Sequence, residues 1–331
     1  MAPVCFLTGA SGFVGANLAP MLAERYRMRC LVREGQQLPD LDGVDYERVE
    51  GDLENQQALA KGVQGADLVV HLAAVVSFRP EERARMFRIN CDATAQLCSL
   101  AREAGVRRLL HVSTISAIGY SDAPRELDED TPFNFGPMKL GYSDSKYAAE
   151  QAVLAEVERG LDAVIVNPPS MYGARDRRKA EGSLMDALMQ GRIKLAPPGG
   201  LCVADVQSVC RGMLAAIDRG RSGQRYILGG ENLTGRELFQ RIAKIIGAVP
   251  PRRCPPRWLV SAITQVLRVK ERLFGSKPPL TAEILALSSR YLWFSSQKAE
   301  DEIGYQRESV DAGIAAACAW LKERDGSGPA A

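Results

Sequence analysis

A chain of 331 residues with 42 basic against 40 acidic side chains carries a formal charge of only +2, and the basic groups are scattered, which excludes the electrostatic footprint of a nucleic-acid binder. The length suffices for a full core, as one large domain or two moderate ones, without covalent staples. Eight cysteines with no C-x-x-C spacing and only two histidines, His71 and His111, exclude a structural zinc site and point to reduced thiols in a cytoplasm.

The first apolar run, Val4 to Leu7, leads into Thr8-Gly9-Ala10-Ser11-Gly12-Phe13-Val14-Gly15, and a helix is expected from Phe13 to Arg25. This run is too short and lacks the basic flank of a signal peptide, and no apolar stretch approaches the ~18–20 residues of a membrane span, so a soluble cytoplasmic protein is expected. Further strands are predicted at Met28 to Val32, Tyr46 to Glu50, Leu68 to Leu72, Leu109 to Ser113 and Ala163 to Asn167, with helices at Asn55 to Val63, Glu82 to Ala104 and Tyr142 to Glu158. Strands alternating with helices predict an α/β, Rossmann-type doubly wound parallel sheet.

Beyond Asn167 the pattern changes. Pro168-Pro169, Pro197-Pro198-Gly199-Gly200 and Pro255-Pro256 mark loops between shorter elements. Residues 1–167 are read as the dinucleotide-binding domain, with 201–230 returning to it through a helix (Val206 to Asp218) and a strand (Gln224 to Leu228). Residues 168–200 and 231–325 form a smaller, mostly helical substrate region, with helices at Arg236 to Ile246, Trp258 to Arg268, Thr281 to Tyr291 and Val310 to Glu323; residues 326–331 are a flexible tail.

The glycine turn carries the first chemical signal. In a G-x-x-G-x-x-G spacing, Gly9 permits the tight turn, Gly12 lets backbone approach a pyrophosphate, and Gly15 allows close helix packing, while the helix N-terminus offers N–H groups and a positive dipole end. At the end of the second strand stands Arg33, whose guanidinium suits the 2′-phosphate of NADP; the alternative is that Arg33 is solvated and Glu34 meets the ribose of NAD. Asp52, before Leu53, either accepts from an adenine amino group or caps the next helix. Small residues at Leu72-Ala73-Ala74 suit backbone lying against a cofactor, and His71 is read as a packed strand residue.

Tyr142 and Lys146 stand one helical turn apart on one face. A phenol with an ordinary pKa near ~10 needs such a cation to act as an acid–base group near neutral pH. The fifth strand ends His111-Val112-Ser113-Thr114-Ile115-Ser116, and hydroxyls at that edge either hold a substrate oxygen or satisfy backbone. Thr114 is chosen for the former role, with Ser113 and Ser116 in reserve.

Together these residues resemble the extended short-chain dehydrogenase/reductases, the group of NAD-dependent sugar-nucleotide epimerases and dehydratases, 3β-hydroxysteroid dehydrogenases and dihydroflavonol reductases. The likeness spans almost the whole chain, including Asn90 in Arg88-Ile89-Asn90-Cys91-Asp92-Ala93-Thr94, Asn167-Pro168-Pro169-Ser170 and the segment Ser296 to Tyr305. Ala93 replaces the family's usual glycine, and Asn167 replaces an arginine common in the epimerases. The resemblance implies hydride transfer at nicotinamide, with Tyr142 as acid, Lys146 lowering its pKa and Thr114 orienting a carbonyl. It implies that the cofactor, NADP(H) by preference with NAD(H) possible, is held by Gly9, Ser11, Gly12, Phe13, Val14, Gly15, Arg33, Asp52, Leu53, Leu72, Ala73, Ala74, Asn90, Pro168 and Ser170, together with Tyr142 and Lys146.

The expected activity is NADPH-dependent reduction of a ketone or aldehyde on a fairly hydrophobic small molecule, in the manner of the dihydroflavonol-reductase-like or hopanoid-associated branch. Nucleotide-sugar epimerisation or dehydration with tightly held NAD is the alternative, and Arg175, Arg177, Arg178, Lys179 or Arg211 would then grip a diphosphate. A 3β-hydroxysteroid-dehydrogenase-like activity or a catalytically silent nucleotide sensor completes the range. The stretch Trp258 to Leu267, flanked by arginines, either packs on the core, covers an apolar substrate or rests weakly on a membrane surface. A homodimer through the helices at Glu82 to Ala104 and Tyr142 to Glu158 would fit the family.

Overall fold

The computed structural model describes residues 2–41, 43–177, 184–274 and 281–324; Arg178, Lys179 and the tail 326–331 lie outside them. Seven strands form one parallel sheet: β1 (Val4–Thr8), β2 (Arg27–Val32), β3 (Tyr46–Glu50), β4 (Leu68–His71), β5 (Arg108–Val112), β7 (Ala163–Asn167) and β10 (Arg225–Ile227), in the order β3-β2-β1-β4-β5-β7-β10. The apolar runs of the inner strands follow from burial on both faces, β4 and β7 being buried along their whole length, whereas β3 at the sheet edge buries only Val49.

One layer packs Leu18, Leu22, Val209 and Met213 against the sheet, and the other packs Leu59, Leu97, Ala101 and Val153. The chain runs outward from β1 to β2 and β3, then crosses back to β4 on the other side of β1. That reversal opens a crevice beyond the C-terminal ends of β1 and β4, where doubly wound sheets bind ligands.

The helix expected over Glu82 to Ala104 is broken into Arg83–Met86, a π-turn at Phe87–Asp92 and Ala93–Glu103. The helix expected over Thr281 to Tyr291 ends at Ser288, and Tyr291–Phe294 becomes β12. The aromatic sequence Tyr-Leu-Trp-Phe fits a half-buried pleat. It joins β6 (Glu126–Leu127), β8 (Ser170–Tyr172), β9 (Gly200–Asp205) and β11 (Glu231–Thr234) in a second sheet of order β11-β9-β12-β6, with β8 on β9. Helices Gly235–Ile246 and Val310–Arg324 close over this sheet through Leu238, Ile242, Val310 and Ile314.

Candidate active site

The turn between β1 and the helix Phe13–Ala23 shows what each glycine is for. Gly9 has φ +81°, and a Cβ there would lie 2.7 Å from the Ala73 nitrogen; a Cβ on Gly15 would lie 2.3 Å from the Gly9 carbonyl oxygen. Those two glycines are demanded by the fold. Gly12 is different: its φ of −85° suits any residue, and a Cβ would meet only the Gly9 oxygen, at 3.2 Å. Gly12 also precedes the helix without a side-chain cap. A position that needs no glycine for folding, at an uncapped helix start in the crevice, fits the cradle of a dinucleotide phosphate. Ser11 is exposed beside it, and Phe13 and Val14 are half-buried.

Thr8 ties this turn to β4. Its hydroxyl lies 2.7 Å from His71 Nδ1 and accepts the Ala73 N–H at 3.3 Å. On the other side, His71 Nε2 lies 2.9 Å from Thr94 Oγ1, whose own proton goes to the Asn90 carbonyl at 2.7 Å. Thr94 has one proton to give, so His71 must donate from Nε2 and accept at Nδ1 as a neutral imidazole. Burial pushes its pKa down to about 3.

Asn90 sits on the π-turn and grips the segment after β4 from both sides. Its Oδ1 accepts the Val75 N–H at 2.7 Å, and its Nδ2 donates to the Val75 carbonyl at 2.9 Å and to Ser145 Oγ at 3.0 Å. Ser145 in turn donates to the Tyr142 carbonyl at 2.9 Å. Asn90 therefore fixes residues 73–75 relative to the helix Gly141–Glu158, which carries Tyr142 and Lys146. An extra residue in a helical turn re-aims a side chain in this way.

Tyr142 is half-buried, with its ring edge-on to Phe78 at 6.4 Å between centroids. Lys146, one turn on, is buried; its Nζ donates to the Val112 carbonyl at 3.0 Å and lies 3.3 Å from His111 Nε2. Burial pushes the lysine down to about 8, opposed by the charge of Glu150 a further turn along, while burial and Lys146 hold His111 well below the ordinary histidine range. Glu150 is itself buried, and burial raises its pKa. Its carboxylate accepts the Asn167 amide at 2.6 Å and pairs with Arg225 at 3.3 Å. The same Asn167 amide reaches the Thr114 carbonyl at 2.9 Å.

Thr114 is buried at the end of β5. Its Oγ1 accepts the Ser116 N–H at 3.2 Å, which leaves its hydroxyl proton to donate. Ser116 is half-buried, and Pro168 receives the Ile115 N–H on its carbonyl at 3.1 Å. Ser170 opens β8. Arg33 is exposed just past β2, and its Nε donates to the neutral Gln36 oxygen at 3.1 Å. Asp52 is exposed and accepts the Glu54 N–H at 3.0 Å, a turn contact, while the Leu53 side chain belongs to the apolar layer under β3. Leu72, Ala73 and Ala74 are half-buried along the crevice.

Sequence reasoning passed over His111, Phe78, Glu150 and Arg225. Glu150 had a local signal, since Tyr142, Lys146 and Glu150 repeat at four-residue spacing on one helix face. The other three are brought in by sheet order and chain crossing, which no short window reports.

Over residues 5–229 the chain matches the model of the NAD dependent epimerase/dehydratase family. It is 30% identical over 328 residues to a putative dihydroflavonol 4-reductase of Synechocystis, covering 97% of this chain and 95% of that one. It is 31% identical over 322 residues to sterol demethylase protein B of Methylococcus capsulatus, covering 96% and 98% respectively. The crystal structure of gox2253 superimposes with a TM-score of 0.84 at 32% identity, covering 99% of this chain and all of the other.

Proposed function

The chain belongs to the NAD dependent epimerase/dehydratase family of extended short-chain dehydrogenase/reductases, and on that premise we propose that it uses NADPH to reduce a ketone or aldehyde on a small hydrophobic molecule. The observation that carries this reading is Tyr142 one turn before a buried Lys146 whose pKa is pushed down to about 8. When bound, the nicotinamide supplies the hydride. Tyr142 gives its phenolic proton to the carbonyl oxygen as the C–H bond forms, and the reverse proton transfer accompanies alcohol oxidation. Lys146 stabilises the phenolate so generated, and Thr114 directs its hydroxyl proton at the substrate oxygen.

Arg33 supports NADP over NAD. It stands exposed past β2 on the side of the crevice, its bond to Gln36 is to a neutral group, and it can close on a 2′-phosphate in bidentate fashion. Nucleotide-sugar chemistry is less well served. Arg177 is paired with Asp40, Arg211 with Glu308 at 2.6 Å, and Arg175 donates to the Ala16 carbonyl at 2.8 Å, so the three described cations of the five named for a diphosphate are already engaged.

Coenzyme titration of the purified protein, followed by turnover of hydrophobic ketones, tests the reading. Preference for NADPH, falling about tenfold in Arg33→Ala, with turnover reduced about 10²–10⁴-fold in Tyr142→Phe, is expected. Tightly retained NAD⁺ with no net NADPH consumption would overturn it in favour of an epimerase or dehydratase.

A further inference from the structure

Large apolar side chains exposed to solvent are few among the described residues, and they are not scattered. Of eight, Val76 lies apart; the others are Leu195, Val249 and five on the helix Arg257–Phe274, from Trp258, 71% exposed, to Val269, 57% exposed. Leu195 lies beside the segment that leads into that helix, because its backbone bridges to Arg253 and the Ala196 N–H donates to the Arg253 carbonyl at 2.9 Å.

The helix itself has two apolar sides. Val260 and Thr264 are buried, with the Thr264 hydroxyl donating to the Val260 carbonyl at 2.8 Å, and this side packs on the protein. At about 100° per residue, Trp258, Val266 and Val269 stand on the opposite side. A helix docked only on its own core would place polar residues there. The charge is equally one-sided: from Arg252 to Lys270 the chain carries five basic residues and no acid, the first being Glu271. Arg252, Arg253 and Lys270 are exposed, while Arg257 is held by Asp122 at 3.3 Å and fixes the helix start on the loop that follows β5.

We propose that this face docks on an anionic lipid bilayer, with the helix lying in the plane of the interface. Trp258, Val266 and Val269 would enter the boundary between headgroups and acyl chains, and Arg252, Arg253 and Lys270 would meet lipid phosphates. No described helix is long and apolar enough to cross a membrane, which leaves an interfacial rather than a spanning mode. A second copy of the chain is a poor occupant, since a two-fold contact through this face would set the same cations against one another. The proposal stands on the surface alone and does not depend on the reaction proposed above.

The test is flotation of the full-length protein with vesicles of phosphatidylcholine and with vesicles containing about one third phosphatidylglycerol, at about 0.05 M and 0.5 M salt. Retention on the anionic vesicles about tenfold above the neutral ones, weakened by salt and lost in Val266→Glu/Val269→Glu, is expected. Both substituted positions are exposed, so folding and coenzyme binding should be unchanged in that variant and serve as its control. Absence of retention, equal retention on both vesicles, or a dimer in light scattering that the same variant splits into monomers would overturn the proposal, the last in favour of a self-contact.

Discussion

The amine of Lys146 lies 3.3 Å from Nε2 of His111, and both groups are buried under the C-terminal edge of the sheet. The same loss of solvent pushes both bases toward their neutral forms. An ammonium donating to Nε2 leaves the imidazole proton on Nδ1, which finds no partner among the described residues. The candidate site therefore holds its cation at a cost in stability, and that cost is measurable.

For Lys146 the folded pKa of about 8 lies below the unfolded value of 10.5. Between those pH values the unfolded chain binds the proton that the folded one has released, so stability rises with pH across that window. Below pH 8 the full penalty applies, about 3 kcal/mol from a shift of that size. Lys146→Met is accordingly expected to be at least as stable as the native chain at pH 7, with the difference disappearing above pH 10.5, while turnover is lost. Urea unfolding of both proteins from pH 7 to 11 measures it; a variant markedly less stable at pH 7 would refute the penalty.

The histidines act in the same sense, in a lower pH window. His71 is neutral in the folded state with a pKa near 3 against 6.5 unfolded, so its contribution is present above pH 6.5 and is lost as pH falls toward 3. The loss amounts to about 5 kcal/mol for His71, and His111 adds to it in the same direction. The slope of unfolding free energy between pH 6 and 5 should flatten in His111→Phe, because the buried imidazole takes up a proton when the chain unfolds. An unchanged slope would show that His111 is not neutral in the folded protein.

Removing the Asn90 side chain leaves both backbone polar groups of Val75 without its amide, and loses the link through Ser145 to the Tyr142 turn. Asn90→Ala should cost about 2 kcal/mol of stability and lower kcat more than it raises KM, because residues 73–75 and Tyr142 are no longer held together. Asn90→Asp keeps the acceptor for the Val75 N–H and should fall between. Equal loss of stability in both variants would deny the two-sided grip.

The glycines separate folding from binding. In Gly15→Ala the new methyl would meet backbone at 2.3 and 2.7 Å, and a cost of roughly 3 kcal/mol or failure to fold is expected. Gly12→Ala should fold nearly normally and bind coenzyme at least about tenfold more weakly, read by fluorescence titration. Normal coenzyme affinity in Gly12→Ala would remove the cradle from the site.

The large sheet was legible because its inner strands are short apolar runs closed by local turn signals. The smaller sheet was not. Glu126–Leu127 is two residues long and pairs with Trp293 and Phe294, while Ser170–Tyr172 follows two prolines and pairs with Val203 to Asp205. Such strands exist through partners far along the chain, and Tyr291–Phe294 follows the helix Ala282–Ser288 after only Ser289 and Arg290, so its local pattern reads equally well as more helix.

What the sequence determined by itself is what depends on near neighbours: the glycine turn before a helix, the four-residue spacing of Tyr142, Lys146 and Glu150, and the alternation of strand and helix. Only the tertiary structure decided the charge state of the site and the exposure of the helix Arg257–Phe274. Whether Lys146 and His71 are pushed toward neutrality, whether Glu150 meets Asn167 and Arg225, and whether Trp258 and Val266 face solvent all depend on how much water packing removes. Desolvation is a property of the assembled fold, set by residues distant in sequence, and no local pattern encodes it.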